Sequence, residues 1–256
     1  MNLLAIDIGN SDIVFGLHDG KKWLPQWRHP SSDYLSTLQT VTQRSRETGI
    51  QLQAVDQVIF SSVVPGISPF VLELVRQQTQ KEPWVMGPEL YLQADIHIDN
   101  PWEIGADLVA NAVAGFTRVQ SYCVIVDFGT ALTFTVVDDT GHIMGVSIAP
   151  GLKTAMNSLS LNTAQLPQVP LEFPPSAMGK TTAHALQSGI MLGYVGLVKE
   201  ILAHIKKDLG NHFQTLATGG LSRILTPLHG HFDHIDPNLT LEGLRIIADR
   251  VVKKAS

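Results

Sequence analysis

The sequence predicts an α/β protein built from two lobes, and three observations support this class. Short apolar runs that are typical of strands alternate with longer helical patterns along the chain. One hairpin pattern, an apolar run followed by a turn with Asp and Gly, occurs twice, at 5–20 and at 125–141. The length of 256 residues is near the size at which one hydrophobic core gives way to two.

The predicted elements begin with the first hairpin and continue in chain order. A helix over 32–48, a strand over 57–64, a helix from Ser68 to Thr79 and a helix from about Glu103 to Thr117 follow the first hairpin. After the second hairpin come helices from about Thr182 to Asp208 and from about Thr240 to Lys254. We place the boundary near residue 118, which predicts an N-terminal lobe of 1–118 and a C-terminal lobe of 119–256.

The two hairpins align when the second is shifted by 120 residues. This shift places Asp7 on Asp127 and Gly9 on Gly129. Such a match indicates an internal duplication. Two unrelated hairpins could also share one Asp and one Gly, so both interpretations remain open from the pattern alone.

The turns of both hairpins have a composition that suits phosphate binding. A turn with glycine and a small polar residue, directly after a strand, exposes backbone N–H groups that can hold a phosphate. The segments DIGNS (7–11) and DFGT (127–130) both have this form. A carboxylate at the end of the strand can hold a hydrated divalent cation beside the phosphates. The alternative is that Asp and Gly occur here simply as turn formers.

Four other segments could bind a ligand, but simpler interpretations compete. GKTT (179–182) resembles the end of a P-loop, yet Pro174 occupies the position of the required glycine. The small residues of GIMLGYVG (189–196) favour close helix packing over a dinucleotide site. HGHFDHID (229–236) is rich in metal-ligand types, but a solvated loop is favoured. ATGG (217–220) fits either a tight turn or close approach of a flat ligand such as adenine.

Composition and charge exclude several classes of partner. The net charge is −5 and no run of Lys or Arg forms a basic stripe, which argues against nucleic acid and anionic membranes. The single cysteine, Cys123, lies in the apolar run YCVIV, which predicts a buried strand residue. No basic signal segment or long apolar stretch is evident, so we expect a soluble protein of the reducing cytoplasm.

Eight segments, in order, resemble the type III pantothenate kinase family, a branch of the acetate kinase, sugar kinase, Hsp70 and actin superfamily. They are DIGNS (7–11), NPWEIGAD (100–107), DFGTALTF (127–134), GVSIAPGL (145–152), NTAQLPQV (162–169), GKTTAHALQSG (179–189), ATGG (217–220) and DPNLTLEGLRII (236–247). The resemblance implies two lobes of duplicated actin-like, ribonuclease H-like topology with a nucleotide cleft between them. It also implies ATP-dependent phosphorylation of pantothenate, which opens coenzyme A synthesis, by a homodimer that uses Mg²⁺ and a monovalent cation, K⁺ or NH₄⁺.

The resemblance assigns roles to individual residues. Asp107 resembles the proton acceptor, Asp127 resembles the K⁺ ligand, and Asp7 is a candidate for holding Mg²⁺. The predicted ATP-binding residues are Asp7, Ile8, Gly9, Asn10, Ser11, Asp12, Ile13, Val14, Gly129, Thr130, Gly219 and Gly220. The predicted pantothenate-binding residues are Ile98, Gly105, Ala106, Asp107, Leu108 and Thr182.

Two departures from the family pattern fall on the acceptor side. Leu108 stands where the family has arginine after Gly-Ala-Asp, and Ile98 stands where the family usually has tyrosine. Loss of a charge-assisted contact costs about 1.5–3 kcal/mol, so weaker acceptor binding is expected. A non-catalytic regulatory or accessory protein that keeps the nucleotide site is therefore the alternative to a kinase.

Overall fold

The computed structural model describes residues 1–49, 51–163, 165–210 and 212–255, and it divides the chain into two compact units. The first unit comprises 1–114 and 239–256, and the second comprises 115–238. Of the quoted segment 162–169, residue 164 lies outside the described residues.

The first unit is built on a five-stranded mixed sheet. Its strands are β1 (Leu3–Ile8), β2 (Asp12–His18), β3 (Trp27–Pro30), β4 (Gln57–Ser62) and β5 (Trp84–Val85), and its first helices are α1 (Thr37–Thr48), α2 (Ser68–Thr79) and α3 (Pro88–Gln93). The strand order is β3-β2-β1-β4-β5. The β1–β2 and β2–β3 pairs are antiparallel, whereas β4 pairs parallel with β1 and β5.

The helix α4 (Ala106–Val119) leads from the first unit into the second, which is built on another five-stranded sheet. Its elements are β6 (Cys123–Phe128), β7 (Ala131–Val137), β8 (Ile143–Pro150), α5 (Leu152–Leu161), α6 (Thr182–Gln187), α7 (Gly193–Leu209), β9 (Gln214–Thr218) and β10 (His234–Ile235). The strand order is β10-β9-β6-β7-β8. The β6–β7 and β7–β8 pairs are antiparallel, and β9 pairs parallel with β6 and β10.

The two sheets have the same topology, which confirms the duplication. In each, a central strand pairs antiparallel with the next strand of the chain and parallel with a later one. The match includes a detail that the ungapped alignment did not show. Residues 9–11 separate β1 from β2, whereas only 129 and 130 separate β6 from β7. The predicted α/β class with two duplicated lobes is therefore confirmed.

The C-terminal helix α8 (Leu239–Ala255) belongs to the first unit, which differs from the predicted division at residue 118. It packs against β1 and β4. A Cβ on Gly243 would lie 1.9 Å from the carbonyl oxygen of Ala110, so the backbones of α8 and α4 are in direct contact. The Thr240 hydroxyl also donates to Oδ1 of the buried Asn111 at 2.9 Å. A linear boundary cannot represent such a return of the chain.

Most predicted helices are present with small changes at their ends. The helix from Ser68 to Thr79 has the predicted bounds. The predicted helix over 32–48 is a 3₁₀ turn, Ser31–Ser36, followed by α1. The left-handed φ of +77° at Gly49 ends α1, a conformation that glycine adopts without strain.

One continuous helix, Thr182–Leu209, is long and apolar enough to cross a membrane by length and composition alone. It contains a π-helical segment, Ser188–Leu192, between α6 and α7. One face of this helix is buried in the core of the second unit. That face includes Met191, Tyr194, Val198 and Leu202. Packing within the unit accounts for this buried face, which is 22% of the apolar 18-residue window.

Candidate active site

The first candidate phosphate loop connects β1 to β2. The Gly9 N–H donates to the Asp12 carbonyl at 3.0 Å, which closes the turn. Asn10 and Ser11 are exposed at its tip. The side chains of the other predicted residues Ile8, Ile13 and Val14 lie in the core, so only their backbone groups are available to a ligand.

Asp7 lies at the end of β1, and its carboxylate is held from the neighbouring strand. Asp7 pairs in register with Ser61 of β4. The buried Ser61 hydroxyl donates to Oδ1 of Asp7 at 2.8 Å. Since Asp7 itself is only half-buried, the carboxylate is both oriented and accessible. A single accessible carboxylate suits Mg²⁺, which usually keeps most of its water and uses one or two protein carboxylates.

The second candidate loop connects β6 to β7 and contains Gly129 and Thr130. The Gly129 N–H donates to the Ala131 carbonyl at 3.1 Å, as Gly9 does to Asp12 in the first loop. Thr130 is exposed. The two loops therefore present similar backbone turns in their respective units.

Gly219 lies against the end of β6 in the second unit. Its φ is +87°, and a Cβ there would lie 2.4 Å from Oδ1 of Asp127 and 2.7 Å from the carbonyl carbon of Phe128. Only glycine fits this position, so the tight-turn interpretation of 217–220 holds at Gly219. The space around Gly220 is open. Close approach of a flat ligand is therefore sterically possible at Gly220.

Asp127 is flanked by two hydroxyl groups that suit a cation site. It pairs in register with Thr133 of β7 and Thr218 of β9, so the three side chains share one face of the sheet. Among the described residues, the buried Oγ1 atoms of Thr133 and Thr218 have no hydrogen-bond partner. A carboxylate beside two buried hydroxyl oxygens fits a hard cation that prefers oxygen ligands.

Asp107 lies in the first turn of α4, at the centre of the predicted acceptor residues. Its Oδ1 accepts the Leu108 N–H at 2.8 Å. A Cβ on Gly105 would lie 2.6 Å from the same oxygen, so glycine leaves the space that this carboxylate occupies. The sequence Gly-Ala-Asp thus combines a helix start with a tightly held carboxylate.

Burial raises the pKa of Asp107, because desolvation disfavours the charged form, and backbone N–H groups of Leu108 and Asp107 oppose this only in part. Burial, followed by the charge of Asp107, also raises the pKa of Tyr91 on α3 to about 12. Tyr91 is therefore a neutral neighbour of the carboxylate near pH 7. A carboxylate with a raised pKa in a partly dry environment is a candidate proton acceptor.

The remaining predicted acceptor residues differ in environment. Ala106 and Leu108 are buried, Leu108 with 8% exposure, whereas Ile98 is half-buried. Thr182 is exposed and begins α6 in the second unit. The Thr181 hydroxyl accepts the His184 N–H at 3.2 Å and caps this helix. The structure thus brings the residues from Gly105 to Leu108 together at one helix start in the first unit.

The histidine-rich segment 229–236 contains more regular structure than the predicted solvated loop, but Gly230, His231, Asp233 and Ile235 are exposed, as that interpretation expects. It contains part of a 3₁₀ turn, Thr226–His231, and the strand β10. The Asp233 carboxylate accepts the Thr215 N–H at 2.7 Å, which ties the segment to β9. Among the described residues, no group of three or more His, Cys, Asp and Glu side chains is arranged to hold a metal ion.

Cys123 is buried in β6, as the sequence predicts. Burial raises the pKa of its thiol to about 12, so the thiolate needed of a nucleophile does not form near pH 7.

Solved structures with the same fold include proteins that are named for different functions. A putative Baf family transcriptional activator from Campylobacter jejuni matches with a TM-score of 0.59 and 19% identity, covering 98% of this chain and 99% of that chain. A putative 2-dehydro-3-deoxygalactonokinase from Sinorhizobium meliloti matches with a TM-score of 0.56 and 13% identity, covering 96% and 95%. At these identities the likeness supports the fold alone.

Sequence comparison identifies the family. The family model described as type III pantothenate kinase matches residues 3–204. A type III pantothenate kinase from Citrifermentans bemidjiense is 40% identical over 252 residues, covering 97% of this chain and 99% of the relative. One from Treponema pallidum is 42% identical over 258 residues, covering 96% and 93%. This chain belongs to the type III pantothenate kinase family.

Proposed function

We propose that the protein transfers the γ-phosphoryl group of ATP to the hydroxyl group of pantothenate, giving 4'-phosphopantothenate and ADP. Family membership and the names of the relatives support this reaction. The observation that carries the proposal is Asp107, a partly desolvated carboxylate with a raised pKa at the start of α4. This reaction is the first step of coenzyme A biosynthesis.

In this mechanism Asp107 orients the pantothenate hydroxyl and accepts its proton. The hydroxyl oxygen forms a bond to the γ-phosphorus, and the bond from that phosphorus to the β–γ bridging oxygen breaks, leaving ADP. Phosphoryl transfer depends mainly on positioning and on electrostatic stabilisation, so the chemical role left to a side chain is to orient the hydroxyl and accept its proton. Gly105 leaves room for the carboxylate, and the Leu108 N–H orients it at 2.8 Å.

Each duplicated loop contributes backbone N–H groups to ATP binding in this proposal. The first loop contributes residues 7–14, and the second contributes Gly129 and Thr130. Gly220, with open space around it, is the candidate for the adenosine side. Gly219 shapes the turn beside it.

Two cations complete the proposed site. Asp7, oriented by Ser61, would hold Mg²⁺, and Asp127 with the hydroxyls of Thr133 and Thr218 would hold K⁺ or NH₄⁺. When bound, these ions offset the negative charge of the phosphates. The oxygen-rich donor sets support both assignments.

A coupled assay of ADP release tests the reaction directly. ADP release with ATP, Mg²⁺ and K⁺ should require pantothenate, and it should fall when Na⁺ replaces K⁺. Mass spectrometry of the product should identify phosphorylated pantothenate. A purified protein that binds ATP and phosphorylates no pantothenate would contradict the proposal.

We also propose a homodimer, supported by an apolar edge strand in the second unit. Val146 and Ile148 on β8 are 37% and 69% exposed and lie two residues apart, so they share one face, and Met144, which is 49% exposed, lies beside them at a shift in the strand register. Apolar edge strands are ready sites of association, here with a second copy of the chain. Light scattering at micromolar concentration should give twice the mass of one chain, and Ile148→Lys should shift this toward the monomer. A wild-type monomer would contradict the dimer.

A cytoplasmic location is the final part of the proposal. The free Cys123 thiol suits a reducing compartment, and the use of ATP suits the cytoplasm, where ATP is supplied.

A further inference from the structure

Each candidate phosphate loop accepts a hydrogen bond from the residue that follows the third strand of its own sheet. The third strands, β3 and β8, both end in proline, at Pro30 and Pro150. In each unit the next residue donates its backbone N–H to the last residue of the loop. The distance is 2.9 Å from Ser31 to the Ser11 carbonyl and 3.0 Å from Gly151 to the Thr130 carbonyl.

In the first unit Ser31 makes a second contact through its side chain. Its hydroxyl donates to the Gly9 carbonyl at 2.6 Å, and the residue is only 7% exposed. The 3₁₀ turn that begins with Ser31 is itself held by the buried His29, whose Nε2 lies 2.7 Å from the Asp33 carbonyl oxygen. Ser31 thus fixes the carbonyls of Gly9 and Ser11 at once.

In the second unit a side chain cannot occupy the equivalent position. A Cβ on Gly151 would lie 2.2 Å from the Gly129 carbonyl oxygen, so the backbone itself fills that space. The hydroxyl comes instead from Thr154, one turn into α5, which donates to the Thr130 carbonyl at 2.7 Å. Thr130 is therefore held by two donors, the Gly151 N–H and the Thr154 hydroxyl.

The geometry of the peptide bond explains what these contacts do. No cis peptide bond occurs in the described residues, and in a trans peptide the C=O and the following N–H point in opposite directions. Fixing the Gly9 carbonyl toward Ser31 therefore directs the Asn10 N–H away from Ser31. The Thr130 carbonyl directs the Ala131 N–H in the same manner. Each loop then has a fixed set of donors before any phosphate arrives.

We propose that Ser31 and Thr154 are positioning residues for nucleotide binding, each orienting the backbone N–H groups of one phosphate loop. The inference rests on the proposed ATP-dependent function and names two side chains that the family resemblance did not assign. Preorganised N–H donors bind phosphate without an ordering cost at the moment of binding.

The test compares hydroxyl removal with hydroxyl retention. Ser31→Ala and Thr154→Val should each weaken binding of a non-hydrolysable ATP analogue by about two- to tenfold, the value of one neutral hydrogen bond. Ser31→Thr and Thr154→Ser keep a hydroxyl and should restore binding. In turnover, the KM for ATP should rise while the KM for pantothenate stays unchanged. Calorimetry and steady-state kinetics supply the two measurements.

Thr79→Val is the matched control. Thr79 is buried in α2, and its hydroxyl also donates to a backbone carbonyl, that of Val75 at 2.8 Å, but it touches neither loop. This variant should lower the thermal midpoint without changing nucleotide affinity. Because Thr154 is exposed, Thr154→Val remains informative even if Ser31→Ala fails to fold.

The outcomes separate the two proposals. Unchanged affinity in Ser31→Ala and Thr154→Val, with a wild type that binds the analogue, overturns the positioning role and leaves the kinase reaction standing. Equal weakening in the hydroxyl-retaining variants also overturns it. A wild type that binds the analogue but does not phosphorylate pantothenate contradicts only the proposed reaction, because the affinity comparison still applies. A wild type that does not bind the analogue overturns both.

Discussion

The loops after β1 and β6 have the same backbone plan, but the aspartates before them have different neighbours. Ser61 donates to Asp7 at 2.8 Å, so the first carboxylate is oriented by its own unit. Asp127 lies between Thr133 and Thr218, whose buried hydroxyl oxygens lack partners within the described part of the chain. The two loops therefore share a backbone turn, whereas the side chains beside their aspartates differ, and the proposed site assigns a different cation to each aspartate.

A second difference is that Asp107, the proposed base, lies in the first unit, on the helix that leaves it. Its carboxylate accepts the Leu108 N–H at 2.8 Å, and burial raises its pKa. In the proposed function, the two loops bind ATP, and Asp107 at the start of α4 accepts the proton. Mutations that separate these roles can break or sharpen the comparison.

The largest effect is expected for Asp107→Asn. Turnover should fall by roughly 10² to 10⁴, the usual contribution of a general base, while ATP affinity stays close to wild type. Single-turnover kinetics and nucleotide calorimetry measure the two quantities. Full activity in this variant would contradict the proposal that Asp107 accepts the proton of the pantothenate hydroxyl.

The same residue predicts a pH dependence of known sign. As the pH is lowered, the Asp107 carboxylate becomes protonated and kcat should fall. Because the pKa of Asp107 is raised in the folded protein, this fall should begin at a higher pH than it would for an ordinary aspartate. The free energy of unfolding should change with pH in the opposite direction to kcat. The folded state binds this proton more tightly than the unfolded state, so the free energy of unfolding decreases as pH rises through the folded pKa. Asp107→Asn should remove both trends, which a pH series of kcat and urea unfolding would measure.

A smaller effect should distinguish the two loop aspartates. Asp127→Asn should lower turnover by about tenfold, the effect of about 1.4 kcal/mol, and abolish the difference between K⁺ and Na⁺. Asp7→Asn should keep that difference but require more Mg²⁺ for half-maximal rate. Titrations of each ion against both variants supply the comparison. An unchanged potassium response in Asp127→Asn would contradict the cation role.

Gly219→Ala tests the close approach beside Asp127. With φ at +87° and Oδ1 of Asp127 2.4 Å from an added Cβ, the substitution should lower the free energy of unfolding by about 1–3 kcal/mol. Gly220→Ala, in open space, is the matched control and should change stability little. Urea unfolding of both variants gives the result. An equal free energy of unfolding in the Gly219→Ala and Gly220→Ala variants would contradict the close approach at Gly219.

Leu108→Arg tests the acceptor side, where a gain rather than a loss is expected. A restored charge-assisted contact should lower the KM for pantothenate by about tenfold or more without changing ATP affinity. Leu108→Gln, similar in length but uncharged, separates charge from shape. Since Leu108 is only 8% exposed, some loss of stability accompanies the gain. A pantothenate KM that is the same in both variants would show that charge at 108 does not bind the acceptor.

The sequence by itself determined the features that depend on neighbours along the chain. Strand–turn–strand patterns located both loops, and Asp107 follows Gly105 and Ala106 at a recognisable helix start. Helical periodicity gave the bounds of α2 correctly because these signals are local. The alignment of the two hairpins predicted the shared topology of the two sheets.

Only the tertiary structure decided what distant residues contribute. Ser61 lies 54 residues from Asp7, Ser31 lies 22 residues from Gly9, and Thr154 lies 24 residues from Thr130, yet each donates a hydrogen bond to the named partner. The return of α8 to the first unit is of the same kind. The reason is physical: a serine or threonine forms its contact only after strand pairing brings it close, and no local pattern marks which hydroxyl will do so.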